Sequence, residues 1–260
     1  MMKVRAASLV LATPLAFGQS FDTVRLYGAA PGQDGGTVGA ALISLPEYKG
    51  ADKRRLLLLP VLDYQWANGW FAGVSNGIGV NLSSSPQVHY GLRLTVDLGR
   101  KESRSPALRG MGDIAAKAEG GAFFNYAVPA GYFLSSSLRY GLGRDGKGLV
   151  VDLGAGYATA LAAQWRLGLG TSVTLVNAEH MQSFFGVTPA QSAASGYAVY
   201  SPGAGVRDLR VNGALTYFIN QRTSVVGALS VSSLLGGAKD SPLSRKQSAG
   251  TMVLAIAHAF

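Results

Sequence analysis

The sequence predicts an all-β protein: a transmembrane antiparallel β-barrel of about twelve strands, with ten as the alternative count and one short helix in a long loop. Three observations lead there. From about residue 36 onward, segments of 10 to 14 residues alternate strictly between apolar and polar-or-small positions and are cut by polar or Gly/Pro turns. Successive side chains of a strand point to opposite faces, so each segment carries one apolar face. Second, these segments are about twice the ~5–6 residues of an ordinary strand, and they match the ~9–11 residues a tilted strand needs to cross a bilayer. Third, hydrophobic residues make up 48% of the 260 and charged residues only 14%, yet nothing after the N-terminus approaches the ~20 unbroken apolar residues of a membrane helix.

The N-terminus comes first. MMKVR is a short basic region, AASLVLATPLAF an apolar run too short to span, and Ala16-Phe17-Gly18 places small residues at −3 and −1 of a cut before Gln19. This is the pattern of a secretory signal peptide, so the expected organisation is a leader at 1–18, a periplasmic segment at 19–35 and the barrel at 36–260. Loss of Lys3 and Arg5 with the leader lowers the formal charge from +9 to +7. A basic exported protein can meet anionic surfaces such as lipopolysaccharide. No basic run with interleaved aromatics suggests nucleic acid. There are no cysteines, which excludes disulfides and thiolate metal sites, and nothing implies a cofactor.

Strands are expected near 36–45, 55–66, 70–82, 87–99, 115–128, 132–143, 148–162, 164–177, 205–219, 222–236 and 249–260. That is eleven, and a closed single-chain bacterial barrel has an even number. A short strand at 22–28, FDTVRLY, would give twelve; merging two would give ten. In 88–99 the apolar face is Val88, Tyr90, Leu92, Leu94, Val96 and Leu98, facing lipid. Trp66, Trp70, Tyr90, Tyr132, Tyr140, Trp165 and Tyr217 sit near segment ends, as interfacial girdles do. The last segment, TMVLAIAHAF, reads as the closing strand, with Met252, Leu254, Ile256 and Phe260 to lipid and alanines to the lumen.

Residues 178–204 break the rhythm. There Thr188 can cap a helix, Pro189 suits its first position, Gln191 completes a capping box and Gly196 can end it.

The segment 184–208, FFGVTPAQSAASGYAVYSPGAGVRD, with Gly186, Thr188, Gln191 and Gly196, resembles the hallmark of the MipA/OmpV family of outer-membrane proteins, the MltA-interacting proteins. Other signatures recur in order: Pro46-Glu47-Tyr48-Lys49-Gly50, with Ala51 where the family often has Ser; Arg54 to Tyr64; Gly110-Met111-Gly112-Asp113-Ile114; Glu119-Gly120-Gly121; Ser241-Pro242; and terminal Phe260, with His258 where the family usually has Tyr. The resemblance implies a barrel in the outer membrane of a Gram-negative bacterium, with Phe260 as its signal to the barrel assembly machinery. It also implies a scaffold that holds a lytic transglycosylase together with a murein synthase, and no catalytic residues.

Parity along the strands places His89, Arg93 and Asp97 in one lumen row, which Glu119, Arg139, Asp152 and Arg166 can join as a polar cluster. His89, His180 and His258 could each serve as a catalytic base, but a histidine in a polar lumen is more often a structural hydrogen-bonder, and no Gly-x-Ser-x-Gly, His-Glu-x-x-His or phosphate loop occurs. The expectation is therefore a non-enzymatic scaffold, set in outer-membrane lipid and lipopolysaccharide. A narrow solute pore is the alternative, and a lipid- or peptide-hydrolysing barrel comes third. With Phe260 at the periplasmic face, counting back places 236–249, 178–204 and 100–114 outside and 46–54 inside. The connections 46–53 and 100–113 are the expected docking loops.

Overall fold

The structure, a computed structural model, describes residues 32–142 and 148–260. The expected leader at 1–18, most of the segment 19–35 and the strand suggested at 22–28 lie outside the described residues. No described helix is long and apolar enough to cross a membrane.

Twelve antiparallel strands close into one barrel. In chain order they are β1 (Gly35–Pro46), β2 (Arg54–Gln65), β3 (Trp70–Gly73), β4 (Gly77–Asn81), β5 (Val88–Asp97), β6 (Lys117–Ala127), β7 (Tyr132–Gly141), β8 (Leu149–Ala162), β9 (Trp165–Val176), β10 (Gly205–Phe218), β11 (Thr223–Leu234) and β12 (Ser248–Ala259). Each pairs with its sequence neighbour, and β12 returns to β1, from Thr37 opposite Ala259 to Ser44 opposite Met252. The amide of Phe260 extends this seam by bonding the Gly36 carbonyl at 3.0 Å. A side chain at Gly36 would collide with the Phe260 ring, which stacks on Tyr64.

Alternation becomes burial. In β12, Met252, Leu254 and Ile256 are exposed while Val253, Ala255 and Ala257 are buried. The same pattern runs through β2, β5, β10 and β11, so the outside carries an apolar band, as lipid requires. Trp66, Trp70, Tyr90, Tyr132, Trp165 and Phe260 are exposed at the end with the short turns. There Trp165 meets Tyr217 at 4.8 Å and Tyr132 meets Tyr157 at 5.0 Å, forming one girdle.

The twelfth strand comes from within 70–82. The segment read as one strand, 70–82, is a hairpin: Gly73 pairs with Gly77 around a three-residue turn, and β3 and β4 are only 4 and 5 residues long. Asp63 on β2 holds the tip, accepting from the Ser75 hydroxyl and from Asn76 Nδ2. This reverses the crossing parity of everything before residue 70. The connection 46–54, expected at the end opposite the long loops, is on the same rim as they are. Tyr48 donates to the Leu243 carbonyl at 3.0 Å, and the Lys246 amide bonds the Gly50 carbonyl.

The long connection carries two helices where one was expected. Helix α2 (Pro189–Ser195) has the foreseen Thr188–Gln191 capping box and a left-handed Gly196. Before it, α1 (Ala178–Phe185) is capped by Asn177, whose side chain accepts from the His180 amide. A single turn, α3 (Gly236–Lys239), follows β11.

Candidate functional site: a capped rim over a charged layer

The connections 47–53, 98–116, 177–204 and 235–247 interlock into a cap over the long-loop end of the barrel. Gln191 Nε2 donates to the Met111 carbonyl at 2.7 Å, Tyr197 OH to Ala107 at 3.0 Å, Tyr200 OH to Gly237 at 2.9 Å and Ser241 Oγ to Phe185 at 2.6 Å. Small apolar cores lock the pieces: Met111, Val187 and Leu243 in one, Tyr48, Ala51 and Leu108 in another. Gly110, at φ +80°, lies against the end of α2, where a Cβ would sit 2.6 Å from Ala194. The Glu102 carboxylate accepts from the amides of Gly110 and Gly112, while Asp113 accepts from the Glu102 amide and from Lys101. The motif residues Tyr48, Gly50, Gly110, Gly112, Asp113, Gly186, Thr188, Gln191, Gly196, Ser241 and Pro242 thus converge on the cap and its joints, and Pro46 ends the strand that enters it. Burial raises the Tyr48 phenol to about 12, so it stays a neutral donor at physiological pH.

Beneath the cap lies a charged layer. Arg139 bridges Glu119 at 3.2 Å and Asp152 at 2.7 Å, all three buried. Thr174 donates to Asp152 at 2.7 Å. Across it, Asp208 accepts from Arg207 Nε at 2.6 Å and from Arg210 at 3.2 Å. Arg207 also meets His180 Nε2 at 3.1 Å. A guanidinium only donates, so Nε2 must accept and His180 is neutral with its proton on Nδ1. Burial first, then Arg207 and Lys49, lower the His180 pKa well below the usual histidine range. Burial, reinforced by Arg207 and only partly opposed by Asp208, likewise lowers Lys49. Nearer the seam, Ala41, Ile43, Val61, Ala228, Val253 and Ala255 form an apolar cluster inside the barrel.

Of the residues expected in one lumen cluster, the structure brings Glu119, Arg139 and Asp152 together. Arg93 reaches Ser137 at 2.6 Å and lies over the Phe123 ring on the same inner wall. Asp97 is buried and accepts from the Gly99 amide. His89 lies toward the short-turn end, 3.2 Å from Asn81 Nδ2. Arg166 is not in the cluster: it bonds the carbonyls of Ala162 and Trp165 at a short turn and covers Phe218. Strand parity does not yield the second part of the layer, Arg207–Asp208–Arg210 with His180. A register shift between Val206 and Asp208 turns two adjacent residues inward, which simple parity forbids.

A closed antiparallel barrel with an apolar outer band, an aromatic girdle and a polar layer inside is the construction of an outer-membrane β-barrel. The chain belongs to the MipA family: the family model described as MltA-interacting protein MipA matches residues 38–260. Its place is accordingly the outer membrane of a Gram-negative bacterium. Among solved structures the chain is similar to the KdgM porin (9% identity, TM-score 0.48, covering 86% of this chain and 99% of that one). It is also similar to the NanC porin (9%, 0.47, 86% and 98%) and to an outer membrane channel from Pseudomonas putida F1 (11%, 0.48, 89% and 97%). No curated protein sequence matches it.

Proposed function

We propose that the protein is a closed outer-membrane adaptor, a rigid body that holds a partner rather than a conduit. The observation that carries this reading is the filling of the barrel: an interlocked cap above, buried ion pairs beneath it and an apolar cluster beside them. The family's name, MltA-interacting protein, supports a murein enzyme as the partner, with a lytic transglycosylase and a murein synthase as the expected pair. The reading is of a non-enzymatic protein. His180 faces the Arg207 guanidinium, where a hydrolytic base would need an acid to orient it.

In outer-membrane barrels the short turns face the periplasm and the long loops face outward. On that plan the cap points away from the cell wall, and murein enzymes meet the short-turn end. The connections 46–53 and 100–113 then belong to the cap, and the docking surface moves to exposed residues of the short turns such as Ser84, Gln87, Gln221 and Arg222.

The test is a crosslinked pull-down from native envelopes. A murein hydrolase or synthase should be recovered, lost when Ser84, Gln87, Gln221 and Arg222 are changed together to alanine, and retained when 100–113 is replaced by Gly/Ser. Loss only with the cap replacement would overturn the placement; recovery of no murein enzyme would overturn the adaptor. A second reading, a narrow pore, draws on a cavity of about 230 Å³ beside Lys49 and Arg210. It predicts conductance steps in planar bilayers, and the closed adaptor predicts none.

A further inference from the structure

The barrel wall has a notch. β3 and β4 are so short that only Asp63, Tyr64 and Gln65 of β2 have ladder partners on that side, and only residues 91–94 of β5 pair with β4. Above the hairpin tip, β2 runs from 54 to 61 paired to β1 alone. The position of Pro60 agrees. Leu62 accepts from the Val74 amide, so Leu62 directs its backbone polar groups toward β3. Pro60, two residues along, must do the same. Its missing N–H therefore falls on the open edge, where a proline costs a strand nothing.

An open edge at membrane depth is tolerated only where it is covered by protein or faces a polar cavity. Here it flanks one. The cavity of about 230 Å³ is lined by Asp208, Arg210 and Ser230 on the far inner wall, but also by Val96 and Leu98 of the β5 flank. Those two are 59% and 68% exposed on the outer, lipid-side surface. One space is thus lined both by the far inner wall and by the β5 edge beside the notch. Its polar part is cationic. Lys49, Arg55, Arg104 and Lys246 line it, and none of them has an ion pair among the described residues. The acids nearby are Glu47, Asp97 and Asp208, and Asp208 already pairs with Arg207 and Arg210. The outer face of the unpaired stretch of β2 is apolar: Leu56 and Leu58 are 68% and 74% exposed.

We infer that this notch is a lateral seat for an anionic amphiphile of the surrounding leaflet, an acyl lipid with a phosphate headgroup. The phosphate enters the cavity toward Lys49, Arg55 and Arg104, and the chain leaves through the wall over Leu56 and Leu58. A cavity of about 230 Å³ suits a headgroup, and the chain is assigned to the apolar outer face of β2. The inference is independent of any murein partner.

The test uses the full barrel purified in a neutral detergent, with binding read by calorimetry and native mass spectrometry. The probes are lysophosphatidic acid, glycerol 3-phosphate as head without tail, and lysophosphatidylcholine as tail without net charge. Lysophosphatidic acid should bind one per barrel, at least about tenfold tighter than either of the others. The double variant Lys49→Met, Arg55→Gln should lose about tenfold or more of that affinity, as expected for charge-assisted contacts, while Lys239→Gln on the cap should not. Heat-modifiable gel migration verifies that each variant is a folded barrel. Equal binding of glycerol 3-phosphate would reduce the site to a plain anion pocket, and equal binding of lysophosphatidylcholine would remove the role of charge; either overturns the seat. So would a lipid-independent dimer, which would place a second copy on the open edge.

Discussion

The wall from β6 to β12 and the wall from β2 to β5 are written in the same alternating code, yet they are built differently. In the first, every strand has a ladder on both sides for most of its length, and the inward residues form the Arg139–Glu119–Asp152 and Arg207–Asp208–Arg210 layer. In the second, a hairpin of two short strands stops partway, held at its tip by one carboxylate. Continuous pairing makes a strand's stability a shared property of its neighbours. An interrupted wall concentrates it in single contacts. Cutting the first should therefore cost global stability, and cutting the second should open a local gap.

The largest effect is expected in the continuous wall. Arg139→Ala removes the buried cation that bridges Glu119 and Asp152, at a cost of about 3–5 kcal/mol. Urea titration of the barrel in lipid vesicles should show one cooperative shift of that size; a loss below about 1 kcal/mol would mean the layer is wet rather than buried. A smaller, local effect belongs to the hairpin. Asp63→Ala frees Ser75 and Asn76 and should cost about 1–3 kcal/mol, with hydrogen exchange rising in β3 and β4 before β8 and β9. Uniform acceleration in all strands would erase the contrast between the walls. The smallest effect is at the open edge. Pro60→Val restores an N–H where no strand waits to receive it, so the change should stay within about 0.5 kcal/mol. A clear stabilisation would reveal an acceptor on that side and close the notch.

Much of this was legible in the sequence because lipid and lumen impose opposite demands on neighbouring residues. The faces of β5 and β12, the α2 capping box and the inward placement of Glu119, Arg139 and Asp152 all follow from parity or cap chemistry. What escaped did so for equally physical reasons. In the β3–β4 hairpin, Gly73 opposes Gly77, and directly opposed residues share a face, so Val74 and Ile78 both point outward and the alternation passes through the turn unbroken. Asn76-Gly77 was the signal available, a dipeptide favoured in tight hairpins. Asn177 has the chemistry to end a strand as well as to cap a helix, and in the structure it caps α1. Arg207 and Asp208 face inward together only because the ladder slips beside them.

The seam between β1 and β12 joins the two ends of the described chain, from Thr37 opposite Ala259 inward. All other ladders are local and can form as soon as adjacent strands meet. This one closes the longest loop in the molecule and carries the greatest entropic cost of closure. Until it forms, the sheet has two free edges in a medium that tolerates none. Closure is therefore a single late event that depends on the last strand being present. A chain cut short before β12 would be left as an open sheet rather than a smaller barrel.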